Sequence, residues 1–149
     1  ALREFLADTN WGALDVLLLD LPPGTDRLST IASLVPALSG IVVVTIRSDV
    51  SQLVVRRSIT AAASTRAPLL GLVENMAGLF PGPDAGKLAA DAGIPFLGSV
   101  PFDQALAVAG DQGDPFVVSA PDRDAAVAIR RIAQGIRASL TGVSSTKRG

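Results

Sequence analysis

Residues 17–26 read Leu17-Leu18-Leu19-Asp20-Leu21-Pro22-Pro23-Gly24-Thr25-Asp26, LLLDLPPGTD. The apolar run that begins at Val16 ends on an acid, and the residues after it are turn formers. A short apolar run bounded in this way predicts a strand, here Leu14–Leu19, buried on both faces. Pro22, Pro23 and Gly24 end the strand and turn the chain. Asp20 is then expected at the carboxyl end of a central strand, where open α/β sheets form their ligand crevice. A carboxylate at that point suits Mg²⁺, held directly or through water opposite the phosphates of a nucleotide. Gly24 allows close backbone approach to a ligand. The ten residues alone are equally compatible with a buried strand that merely ends in an acid and a tight turn.

Composition narrows the chemistry. The chain has 149 residues, enough for one domain with a core, and 48% of them are hydrophobic. The formal net charge is −1, so no charge imbalance points to nucleic acid or an anionic membrane. The sequence contains no Cys and no His. Disulfides, thiolate catalysis, histidine bases and the usual zinc sites are excluded within these residues, while oxygen-ligated Mg²⁺ is not. No apolar run is long enough to cross a bilayer, and the chain reads as soluble and cytoplasmic. A Gly-rich loop with the GxxxxGK pattern does not occur.

Outward from Asp20, helices and strands alternate. Leu2, Phe5 and Leu6 predict a helix over 2–7. Asp26 can cap a helix whose apolar face is Leu28, Ile31, Ala32 and Val35, with Pro36 ending it. The β-branched run Ile41–Ile46 is the clearest strand, expected to be buried on both faces. Ser48 or Asp49 caps a helix to about Ser64, with Val50, Leu53, Val54 and Ala61 as its apolar contacts and Arg56 and Arg57 on a solvated face. Pro68 opens a strand over Leu69–Glu74, which places Asn75 just past its carboxyl end. Met76–Pro83 is a loop, Asp84–Ala92 a helix closed by Gly93, and Ile94–Val100 a strand closed by Pro101. Asp103 caps a helix ending near Gly110. Phe116–Val118 is expected to be a short strand. The last helix begins around Pro121–Asp124 and carries the stripe Ala125, Ile129, Ile132, Ala133, Ile136 and Leu140, with Arg130, Arg131 and Arg137 on its wet face. Thr141–Gly149 reads as a disordered polar tail after a domain spanning 1–140. The alternation predicts an α/β fold, a doubly wound and mostly parallel sheet with helices on both faces. The loops at Asp20–Asp26, Asn75–Met76 and Pro101–Asp103 should meet at its carboxyl edge.

The stretches DTNWGALDVLLLDLPPGTD, IVVVTIRSDVSQLVVRRSI, APLLGLVENMAG and GIPFLGSVPFD resemble, in that order, the Mrp/ApbC branch of the MinD- and ParA-like P-loop ATPases over about residues 2–138. The resemblance implies an ATP- and Mg²⁺-binding homodimer, paired through its nucleotide face, that serves iron–sulfur client proteins. It implies that Asp20 is the Walker B acid bearing on Mg²⁺, the single catalytic and metal residue. Gly24 and Thr25 match the switch that senses the terminal phosphate. Asn75 matches the residue that reads the adenine edge, and Pro101, Phe102 and Asp103 the loop that borders the base. An amide suits adenine because it donates and accepts at once.

Departures from that pattern are equally specific. The strand and Gly-rich loop that begin the family's domain have no counterpart here, so the 149 residues are expected to be the C-terminal part of a longer protein or a truncated product. The absent strand would lie between the Asp20 strand and the Ile41 strand. PPGTDRLS is shorter than the family's pattern, and Arg47 stands where the family has proline. The cysteine pair expected after Glu74-Asn75-Met76 is replaced by Leu79-Phe80-Pro81-Gly82-Pro83. Clusters need thiolates or histidine, so no iron–sulfur cluster is expected on this chain. The leading function is therefore the C-terminal part of an ATP-hydrolysing protein of iron–sulfur cluster assembly or carriage. The alternatives are a degenerate, non-catalytic subunit or adaptor, and a partitioning or positioning ATPase. The tail TGVSSTKRG is too polar for a membrane anchor and too weakly basic for DNA.

Overall fold

A computed structural model describes residues 2–22, 26–35 and 37–146. Its elements are α1 (Leu2–Asp8), α2 (Asp26–Leu34), β1 (Ile41–Thr45), α3 (Asp49–Ala63), β2 (Leu69–Ala77), α4 (Ala85–Asp91), β3 (Phe96–Pro101), α5 (Gln104–Gln112), α6 (Phe116–Ser119) and α7 (Asp124–Thr146). The strands form one parallel sheet in the order β1-β2-β3. Side chains alternate across a strand, and the core divides accordingly. Val43 and Leu72 pack with Val55 and Ile59 of α3 and Leu88 of α4. Val73 and Val100 pack on the other face with Ala109, Phe116 and Ile132 of the later helices. Helices thus cover both faces of a parallel sheet, the α/β architecture expected of a P-loop NTPase.

The organising strand of the sequence reading is not formed. Residues 14–22 contain no strand, and Leu18 is 87% exposed. A strand exists through its ladder partner. Among the described residues the outer edge of β1 has no neighbour, and the Leu14–Leu19 run joins no ladder. The same free edge accounts for a second difference: β1 is not buried on both faces. Val43 and Thr45 are buried, but Val44 is 55% exposed, because α7 lies over β3 and the near side of β2.

Four helical details also differ. α3 turns Gln52, Val55, Ile59 and Ala62 inward and leaves Val50, Leu53 and Val54 exposed. Gln52 can be buried because its Nε2 donates to the Pro83 carbonyl at 2.7 Å. Phe116–Val118 forms the helical turn α6 instead of a strand: Val118 and Ser119 N–H donate back to the Pro115 carbonyl, and only Phe116 is buried. Arg130 is not on a wet face; its guanidinium donates to the carbonyls of Val117 and Pro121 and ties α6 to α7. α7 itself continues past Thr141 to Thr146.

Candidate nucleotide site at the carboxyl edge of the sheet

β2 and β3 end side by side. Glu74 pairs with Ser99 and Ala77 with Pro101 in register, with a bulge between them. The Phe102 N–H donates to the Ala77 carbonyl at 2.9 Å, carrying the ladder one residue past β3. Asn75 lies inside this bulged end. Its Oδ1 accepts from the Met76 N–H at 2.9 Å, which fixes the side chain while its NH₂ remains a donor. Met76 has φ of 53°, a left-handed conformation costly for a residue with a long side chain. That kink re-aims the chain at the point where β2 reaches the edge.

Phe102 is half-exposed beside this end. Asp103 is held from two directions. One oxygen caps α5 through the Ala105 N–H at 2.9 Å. Both oxygens also meet the Arg123 guanidinium, Nε to Oδ2 at 2.7 Å and Nη2 to Oδ1 at 2.8 Å. This fork-to-fork geometry is the strongest form of the pair. The Arg123 hydrogen bond, helped by the Ala105 N–H, holds the Asp103 carboxyl below its ordinary value, against the opposing effect of burial. Arg123 is raised in turn by Asp103. An open groove of about 1110 Å³ begins here, lined by Pro101, Phe102 and Asp103 together with α5, α6 and the start of α7. Asn75 does not line it, so the groove runs away from the end of β2.

The structure thus brings Asn75 and the Pro101–Asp103 loop to one edge. Asp20 lies exposed in the irregular segment after α1. Gly24 and Thr25 lie outside the described residues. Arg123 was not singled out in the sequence, and nothing local marks it, since its partner is 20 positions away. Arg47 did stand out, and its partners were the unread part: Nη2 meets Asp84 Oδ2 at 2.6 Å, and Nε lies 3.3 Å from Oε1 of the buried Glu74. A charged residue inside LLGLVEN was the available signal for Glu74.

The profile of the ParA-group family described as NUBPL iron-transfer P-loop NTPase matches residues 1–137. The chain belongs to this family. Its similarity to individual members is broad. It is 41% identical to an iron–sulfur cluster carrier protein of Saccharolobus solfataricus, over 82% of the chain and 45% of that protein. A protein of the same name from Mycobacterium bovis is 40% identical, over 97% of the chain and 43% of its own length. The cytosolic Fe-S cluster assembly factor NUBP2 of Gallus gallus is 39% identical, over 91% and 55%. The chain spans about half the length of these relatives or less.

Two groups are implied by membership of the NUBPL family, and the residues fit them unequally. A nucleotide needs a base-facing edge and a phosphate cradle of backbone N–H groups; Asn75 and Phe102 fit the first, and no GxxxxGK segment is present for the second. An iron–sulfur cluster, which would be cargo, needs soft ligands. The 77–84 loop offers only Asp84, already engaged with Arg47 and the Lys87 N–H, so these residues do not fit a cluster. Among the described residues no group of three or more His, Cys, Asp or Glu converges as a metal would require, and no helix is long and apolar enough to cross a membrane.

Proposed function

We propose that this chain is the C-terminal part of an ATP-binding P-loop NTPase domain working in iron–sulfur cluster assembly or carriage in the cytoplasm, and that it supplies the adenine-facing edge. The observation that carries the reading is the lateral hydrogen bond from Phe102 to Ala77, which sets an amide and an aromatic ring on adjoining strand ends. Asn75 would donate to and accept from the base edge, Pro101 and Phe102 would flank the base, and Asp103 would fix their loop through α5 and Arg123. Asp20 would hold Mg²⁺ and its waters, which supply charge stabilisation for phosphoryl transfer to water, and Gly24 and Thr25 would sense the terminal phosphate. The active form would be a homodimer closed across the nucleotide face, with iron–sulfur client proteins as partners.

The test uses the full-length protein. Asn75→Ala should weaken ATP binding about tenfold, the cost of one or two hydrogen bonds in an enclosed site, and should erode preference for ATP over GTP. Phe102→Ala should weaken both nucleotides. Unchanged affinity and preference in Asn75→Ala would defeat the assignment. A second reading, a non-catalytic adaptor, is favoured by one observation: Asp20 lies exposed and outside any strand. ATP binding without turnover in the full-length protein would support it.

A further inference from the structure

The guanidinium of Arg47, at the turn between β1 and α3, bridges two carboxylates from different elements. Nη2 meets Asp84 Oδ2 at 2.6 Å, and Nε faces Glu74 Oε1 at 3.3 Å. Glu74 is 3% exposed, and a cation beside it offsets the cost of burying a carboxylate. The buried Nε makes no aligned hydrogen bond; the guanidinium is held by its bond to Asp84 and by the charge of Glu74 beside Nε. Asp84 meanwhile caps α4 through the Lys87 N–H at 2.7 Å. Two other contacts bind the same loop. Gln52 reaches the Pro83 carbonyl at 2.7 Å, and the Gly82 backbone lies so close to Arg47 that a Cβ there would collide with the Arg47 carbonyl and with Ser48 N.

An exposed Arg–Asp pair alone is worth little. This one differs because its cation also neutralises a buried group, and that group immediately precedes Asn75. We infer that Arg47 is a positioning residue: it straps the Gly78–Asp84 loop to the buried end of β2, so that loop and strand end, Asn75 included, are ordered as one unit. The importance given to Asn75 rests on the proposed base site; the strap itself does not.

Amide hydrogen exchange of the full-length protein, free and with ATP, tests this. Asp84→Asn keeps a capping acceptor and removes the charge. Arg47→Met keeps the stem, and its combination with Glu74→Gln removes the penalty of an unpaired buried carboxylate, so that a folded variant without the strap is available. In nucleotide-free protein, Asp84→Asn and the Arg47→Met/Glu74→Gln pair should speed exchange at 79–82 roughly tenfold or more and speed it together at 75–77, with Arg47→Lys restoring part of the protection. Faster exchange confined to the loop, or none, would overturn the strap. In the wild type, ATP should slow both segments, and in Arg47→Met/Glu74→Gln only 75–77. If ATP slows neither segment in the wild type, the base-site reading fails, and the nucleotide-free comparison still decides the strap.

Discussion

Asp84 and Asp103 each cap a helix and grip an arginine with one carboxylate. The Lys87 N–H and then Arg47 lower Asp84, and Arg123 and then the Ala105 N–H lower Asp103, in both cases from an ordinary value of 3.8 and against burial. A carboxyl whose folded value is depressed contributes stability that is complete above its unfolded value and is lost as pH falls through the folded one. Both groups should therefore add to an acid transition that begins near pH 3.8 and deepens below it. The double variant Asp84→Asn/Asp103→Asn should flatten that part of a stability–pH curve measured by urea unfolding; an unchanged slope would show that the pairs do not persist in solution. Residue chemistry also fixes what the chain cannot carry. With no Cys or His in its 149 residues, it should remain colourless after anaerobic reconstitution with iron and sulfide. A stoichiometric cluster by visible absorption and iron analysis would refute this, and one bound only by a longer protein would place the thiolates elsewhere.

At the scale of elements, α3 offers the sharpest check. Val50 is 76% exposed on one side of the helix, while Val55 lies in the core on another. Val50→Lys should change stability by less than about 0.5 kcal/mol, as surface substitutions do, whereas Val55→Ala should cost about 2 kcal/mol or more through lost burial and a residual cavity. Thermal unfolding of the two variants measures both, and the reverse ranking would restore the face that apolar spacing alone selects. That face was misread because α3 carries apolar residues on two sides, and the deciding contact, Gln52 on the Pro83 carbonyl, comes from 31 residues away. Local signals served better where they were unopposed. Val42-Val43-Val44 announced β1, Asp103 announced the start of α5 as the cap it is, and of the two candidates Ser48 and Asp49 it is Ser48 that caps α3. Phe116-Val117-Val118 misled because β-branched residues favour strands only where a sheet is ready to receive them; the structure gives them a single helical turn that buries one ring. Of the site, Asn75, expected just past the end of β2, lies within it, because β2 runs on to Ala77, while the place of Phe102 just past β3 was legible. The Arg47 bridge was not, since its partners lie on β2 and at the start of α4.

Taken whole, the sheet of the described residues ends on β1 at one edge and on β3, with α7 packed against it, at the other. The β1 edge has no neighbour among the described residues, and Leu14, Val16, Leu17 and Leu18 lie exposed. The 149 residues alone should release no phosphate from ATP, because they hold no GxxxxGK segment and Asp20 lies exposed outside any strand. Steady turnover by the purified chain, abolished by Asp20→Ala, would contradict this. The other flank invites a different conclusion. α7 runs about 35 Å at 1.5 Å per residue, and Arg123, bonded to Asp103, stands just ahead of its first residue. A load or tether at the Thr146 end would peel the helix from the sheet one turn at a time toward Asp124, and would reach the Arg123–Asp103 bond last. In mechanical language, α7 is a strip that peels from its Thr146 end, and whatever tugs there is spent in unzipping before it can disturb Phe102.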